Sequence, residues 1–324
     1  MAGHSDVAVS GMRPTDKPNA RAVFALAALC GLAASGPAAA HGFAPIPPGD
    51  AWMFWTFDPL VLVPLLAGHW LYGRGLSVWR RRHGGLPAAL PRWRVASFLA
   101  GEVLLFVALV SPVDAVSETI LSAHMVQHVL LVAAAPPLLV LGRPHLAWAV
   151  GLPAGLRKPL LQSAPARRLY AALDWLSRPA PATILHGAAL WIWHAPTAFE
   201  LGRADDWMHA FEHACFFGTA LLFWRAIIAA AATSRAAIAG MAAALATLVQ
   251  GGFLSALIGL SPEPIYPGST FWAPLWGMTP LEDQQLAGAI MWVPAGAAYL
   301  AAGLYLASRL LSESGPTAAR RAVT

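Results

Sequence analysis

Seven apolar runs constrain this chain more than any other feature. They cover residues 57–79, 94–111, 119–142, 181–199, 207–228, 236–260 and 284–310, and each is long enough to cross a hydrocarbon core of about 30 Å. Composition agrees: 57% of residues are hydrophobic and 11% charged, less than half the roughly 25% charge of a soluble domain, and the mean hydropathy is +0.57. The pattern predicts an all-α fold, a polytopic membrane bundle of about seven transmembrane helices embedded in the lipid bilayer.

The flanks of these runs set an orientation. Arg74, Arg80, Arg81, Arg82, Arg92 and Arg94 lie between the first two runs, and Arg143, Arg157, Lys158, Arg167, Arg168 and Arg178 between the third and fourth. Arg225 and Arg235 flank the fifth-to-sixth link, and Arg309, Arg320 and Arg321 follow the seventh, whereas Arg203 is alone among the acidic residues of the opposite side. Basic loops stay cytoplasmic, so the mature amino terminus is expected outside and the carboxy terminus inside. Basic residues dispersed in this way exclude a nucleic-acid partner. Residues 166–179 place Leu169, Leu173 and Leu176 at helical spacing beside Tyr170 and Trp175, which predicts a short helix at the cytoplasmic interface. Pro136, Pro137, Pro196 and Pro294 are expected to kink spanning helices and free carbonyls that neighbouring helices must satisfy.

Ahead of the first span, a polar lead, the apolar run Ala22 to Ala34 and the stretch Ala38-Ala39-Ala40 follow signal-peptide grammar. The expected organisation is a signal peptide with a polar lead over residues 1–40, an external segment over 41–56, a membrane domain over 57–311 and a cytoplasmic tail over 312–324. Cleavage after Ala40 would give His41 a free α-amine beside its imidazole, a nitrogen pair suited to copper. Cys30 and Cys215 both lie in apolar stretches, so no disulfide framework or Cys-rich metal site is present.

Chemistry must then come from the eleven His residues, because ionisable groups within membrane helices are costly without partners. The third run opens with His124-Met125-Val126-Gln127-His128 and the fifth with His209-Ala210-Phe211-Glu212-His213. A four-residue spacing puts each pair on one helix face, one turn apart. The fourth run travels the other way, so its late residue His194 reaches the same outer level, where the seventh contributes Asp283 and Gln284. One such pair alone reads equally well as a polar face hydrogen-bonded to a neighbour; two pairs and His194 at one depth point to a metal site. Its candidate ligands are His124, His128, His194, His209 and His213. His41, Met125, Gln127, Met208, Glu212, Asp283, Gln284 and Met291 are candidate additional ligands or supporting groups. Imidazole with thioether suits copper, with Cu(I) favoured, and zinc becomes an option where a carboxylate joins. His69 and His186 lie away from the cluster and read as hydrogen-bonded core residues, Cys215 as packed elsewhere, and Glu102 as needing a partner the sequence does not name.

With these residues in view, the chain resembles the CtaG-like assembly factors of caa-type cytochrome c oxidases. The likeness is carried by His124 to His128 followed by Ala135-Pro136-Pro137-Leu138 through Gly142-Arg143-Pro144, by Trp193-His194-Ala195-Pro196, by His209 to His213 leading to Phe223-Trp224, and by Asp283-Gln284-Gln285 through Met291-Trp292. These blocks span about residues 119–300, while residues 1–118 resemble the family only in hydropathy. The resemblance implies a copper-linked role in oxidase maturation at the outer face of the bacterial cytoplasmic (inner) membrane. The oxidase subunits would be the partners, with a periplasmic copper chaperone as a candidate donor; that copper sits in these histidines is our inference.

That reading assigns no catalytic residue. A competing enzyme reading takes His209 to His213 as H-x-x-E-H, in which Glu212 would activate a zinc-bound water, although Gln127 stands where the sister sequence would need its base. A haem-binding protein, with axial ligands from facing helices, is a third reading.

Overall fold

The computed structural model describes residues 45–313, and within them every regular element is helical. His41, Cys30, Arg320 and Arg321, with the signal-peptide and tail assignments, lie outside the described residues.

Helix α1 (Pro59–His83) starts where Asp58 accepts the Leu60 N–H at 2.8 Å and Pro59 needs no donor partner, and ends at Gly84 in the left-handed region. α2 (Arg92–Leu109) returns, and the short α3 (Pro112–Ser117) leads into α4, which runs over Leu121–Leu141. α4 changes to π-helical winding over Leu130–Ala134, just before Pro136 and Pro137. Pro136 cannot donate to the Val132 carbonyl one turn back, and the indole N–H of Trp224 occupies that carbonyl instead at 2.8 Å.

Past Arg143, at φ 48°, come α5 (Pro144–Gly151), α6 (Ala154–Gln162) and α7 (Ala164–Leu176), the helix expected at the interface. α7 presents Leu169, Tyr170, Leu173 and Trp175 outward, and Asp174 holds Arg225 at 2.6 Å. α8 covers Pro179–Trp193 and α9 Pro196–Ala204; α10 (Asp206–Ala230) is capped by Asp205, α11 (Ser234–Gly259) by Thr233, and α12 is Pro280–Glu313.

Among the described residues, four stretches are long and apolar enough to cross a membrane: Leu121–Leu141, Asp206–Ala230, Ser234–Gly259 and Pro280–Ser312. The predicted fourth span is shorter than expected. Pro196 does not kink it; the helix stops at Trp193, His194 becomes its C-cap, and Pro196 opens α9. The 15 residues of α8 reach only about 22 Å at 1.5 Å per residue.

The main core joins α4, α8, α10, α11 and α12 around Phe216, Phe223, Trp224 and Leu254, and a second cluster lies under α1 and α2 around Tyr72 and Phe98. Large apolar side chains also cover the outside, including Leu245, Val249 and Phe253 of α11 and Val293, Leu300 and Leu304 of α12. An apolar exterior of this extent fits a lipid-facing surface. α11 and α12 meet with backbones in contact: a Cβ on Gly288 would stand 2.6 Å from the Gly259 Cα.

Candidate metal centre

Each H-x-x-x-H pair does what helical spacing dictates. The ring centroids of His124 and His128 are 4.1 Å apart on α4, and those of His209 and His213 are 4.2 Å apart on α10. The pairs then match rung to rung, His124 with His209 at 5.6 Å and His128 with His213 at 5.6 Å. That register requires α4 and α10 to run in the same direction here.

His194 joins from α8, its ring 5.9 Å from that of His128. Because the helix ends at Trp193, the imidazole folds back and Nδ1–H donates to the Leu190 carbonyl at 2.7 Å, which leaves Nε2 as the bare lone pair. The His194 carbonyl accepts from the Tyr266 hydroxyl at 2.6 Å. Tyr266 lies in the loop before α12, and burial pushes its phenol pKa up, so it remains a donor.

Glu212, on the same α10 face, enters this group. Its carboxylate lies 3.7 Å from His128 Nε2, and ligand atoms of His124, His209 and Glu212 all fall within 4.8 Å of one another. Gly202 makes room for it, since a Cβ there would come 2.7 Å from Glu212 Oε2. Phe199 against His124, and Phe216 against His128 and His194, wall the cluster off.

Burial makes these groups informative. His124, His128, His194 and Glu212 are each under 5% exposed. Neither ring nitrogen of His124 or His128, neither Glu212 oxygen, and neither Nε2 of His194 nor Nε2 of His213 has a hydrogen-bond partner among the described residues. Orphaned buried polar atoms are rare and costly. Nitrogen and carboxylate lone pairs that converge without partners are the donor set a zinc or copper ion takes, so the residues fit a metal.

Two residues outside the candidate set, Glu118 and Arg203, support the site. Glu118 Oε1 stands 3.3 Å from His209 Nδ1, a carboxylate placed to orient the imidazole of a candidate ligand. Arg203 donates to the Ser117 and Glu118 carbonyls at 3.2 and 2.6 Å. In the sequence each precedes a histidine pair by six positions, and Arg203 stands out as a lone basic residue among acidic ones; in the structure it occupies the last turn of α9.

The other candidates separate. Met125 is buried in the main core and Met208 is partly exposed, while Met291 lines a cleft together with His128 and His194. Gln127 donates to the Ala108 carbonyl and to Asp114, at 2.9 and 2.6 Å. Asp283 accepts the Leu121 and Ser122 N–H groups at 2.8 and 2.9 Å, capping α4 from another helix. Gln284 braces the loop through Ile258, Glu263 and Ile265. These three polar residues thus bind backbone and neighbouring side chains rather than the imidazoles.

His186 is buried between Thr219 at 3.2 Å and Tyr299 at 3.1 Å, as a core histidine should be. His69 differs from the expectation: its side chain is 61% exposed, and it is the missing partner of Glu102, at 2.7 Å. Cys215 is free and packs against the main core.

No curated protein and no solved structure matches this chain. The family model for the cytochrome c oxidase caa3 assembly factor (Caa3_CtaG) matches residues 70–313, a stretch that contains every residue of the histidine cluster. With that match over most of its length, the chain belongs to the cytochrome c oxidase caa3 assembly factor family.

Proposed function

We propose that this protein handles copper during oxidase assembly, holding the ion among His124, His128, His194, His209 and His213 and releasing it to an oxidase subunit without catalysing a reaction. The observation that carries this is the convergence of five imidazoles and one carboxylate, in which buried nitrogen and oxygen atoms of His124, His128, His194, His213 and Glu212 have no hydrogen-bond partner among the described residues, in a family of oxidase assembly factors. The ion is cargo here, and neutral imidazoles hold it through nitrogen lone pairs. The positive-inside asymmetry supports a seven-span, N-out, C-in topology in the bacterial cytoplasmic membrane, with the cluster facing the periplasm. Matched rungs between α4 and α10 support both helices starting on one side.

The test is the double variant His124→Ala/His128→Ala, compared with the native chain for Cu(I) and Zn(II) binding after purification in detergent, and for copper content of the oxidase in cells. Copper bound by the native chain and lost in the variant, with an under-metallated oxidase, supports the reading. A fully metallated oxidase in cells carrying the variant overturns it.

One observation favours a zinc hydrolase: Glu212 stands beside His209 in H-x-x-E-H and near two imidazoles. The geometry supports it less well, because His124 rather than His213 completes the tight group with His209 and Glu212, which places the carboxylate among the ligands instead of leaving it free as a base. Glu212→Gln would abolish hydrolysis while retaining metal in a protease. The cleft beside the cluster has about 40 Å³ of room, which lends no support to a porphyrin.

A further inference from the structure

The five histidines do not share one environment. His124 and His209 face Glu212 in a tight group in which His124 and Glu212 are buried and His209 is partly so. His128 and His194 instead line a cleft between α8, α11 and α12 whose walls are almost wholly apolar. Gly252, Gly296 and Trp292 are part of its lining, and Trp292, 53% exposed, also belongs to the outer apolar surface with Val249 and Val293. The cleft therefore adjoins the apolar outer surface of the bundle.

Three observations point to a ligand in that cleft. His194 Nε2, forced to be a lone pair by the Nδ1–H bond to Leu190, is buried and unpartnered. The Thr247 hydroxyl, fully buried on the cleft wall, also has no hydrogen-bond partner among the described residues. Met291 brings a thioether to the same lining. The His128 and His194 rings stand 5.9 Å apart, a separation that admits an ion at about 2.0 Å from a nitrogen of each.

We infer that the cluster contains two ion positions: a first at His124, His209 and Glu212, and an outlet at His128, His194 and Met291, from which Cu(I) leaves sideways through the cleft to an acceptor within the membrane. This rests on the copper-handling reading and adds to it a second site and a direction of exit. The donor sets differ as the two tasks require. Two nitrogens with a carboxylate suit zinc or either copper state, whereas two nitrogens with a thioether favour Cu(I) in low coordination, which exchanges readily with an incoming soft ligand. Transfer between positions is ligand exchange only, so no electron or proton source is needed.

The experiment titrates Cu(I) anaerobically into the full chain in detergent against a chromophoric Cu(I) chelator, with X-ray absorption to detect sulfur bound to copper. The native chain should take two ions, one with a sulfur neighbour. Met291→Leu, a volume-conserving change, should remove the sulfur signal and weaken the second ion about tenfold. His194→Ala should leave one ion, and so should His124→Ala/His209→Ala, which keeps the sulfur signal. A single ion indifferent to Met291→Leu, or a sulfur signal surviving in that variant, overturns the two-position inference while copper handling stands. A native chain that binds no copper overturns both.

Discussion

Glu118 places a carboxylate oxygen 3.3 Å from Nδ1 of His209, and Arg203 in turn grips the backbone carbonyl of Glu118 at 2.6 Å. The two contacts link α9 through Glu118 to a candidate ligand. A carboxylate in this position fixes the imidazole's tautomer, aims Nε2 into the cluster and raises its basicity.

Glu118→Gln should therefore lower Cu(I) or Zn(II) affinity by roughly 10- to 100-fold without loss of fold. Competition titration with metal chelators measures the first, and a thermal melt the second. Unchanged affinity would mean that packing alone sets the orientation of His209.

Gly202→Ala tests how tightly the Glu212 carboxylate is seated. The added methyl would sit 2.7 Å from Oε2, and α9 cannot retreat while Phe199 is packed on Tyr266 with ring centroids 4.4 Å apart. Glu212 should be driven out of the group with His124 and His209, and zinc binding should fall by about tenfold or more, an affinity change of about 1.4 kcal/mol. Isothermal titration with Zn(II) reads the change directly.

Trp224→Phe should keep most of the ring packing and lose the hydrogen bond to Val132. A buried carbonyl without a partner costs about 1–3 kcal/mol, so the variant should melt at a lower temperature. Pro136→Ala should offset part of that loss by restoring a backbone donor near Val132; a double-mutant cycle on melting temperature checks the coupling.

Asp283→Ala removes the acceptor for two N–H groups at the start of α4. A lost cap costs about 0.5–2 kcal/mol, and here the helix turn it holds carries His124. Lower thermal stability together with weaker metal binding is expected, whereas Glu282→Ala, at an exposed neighbour, should leave metal binding unchanged. Parallel melts and titrations separate the two.

Helix identity, the one-turn spacing within each histidine pair and the family likeness were all legible in the chain, because they depend on local periodicity: residues four apart share a face wherever the helix is placed. The lengths of most helices followed from the same runs. The fourth run misled, since apolarity continues through Trp193 while His194-Ala195-Pro196 ends the helix, and hydropathy does not register a cap. Tertiary structure alone decided which faces meet: His124 against His209, Glu102 against His69, and Asp283 on Leu121, 162 positions away in sequence. Those meetings depend on how whole helix surfaces pack and in what register. Periodicity within one segment carries no information about either, so the separation of His124 and His209, beside Glu212, from His128 and His194, on the cleft, emerges only once the helices are assembled.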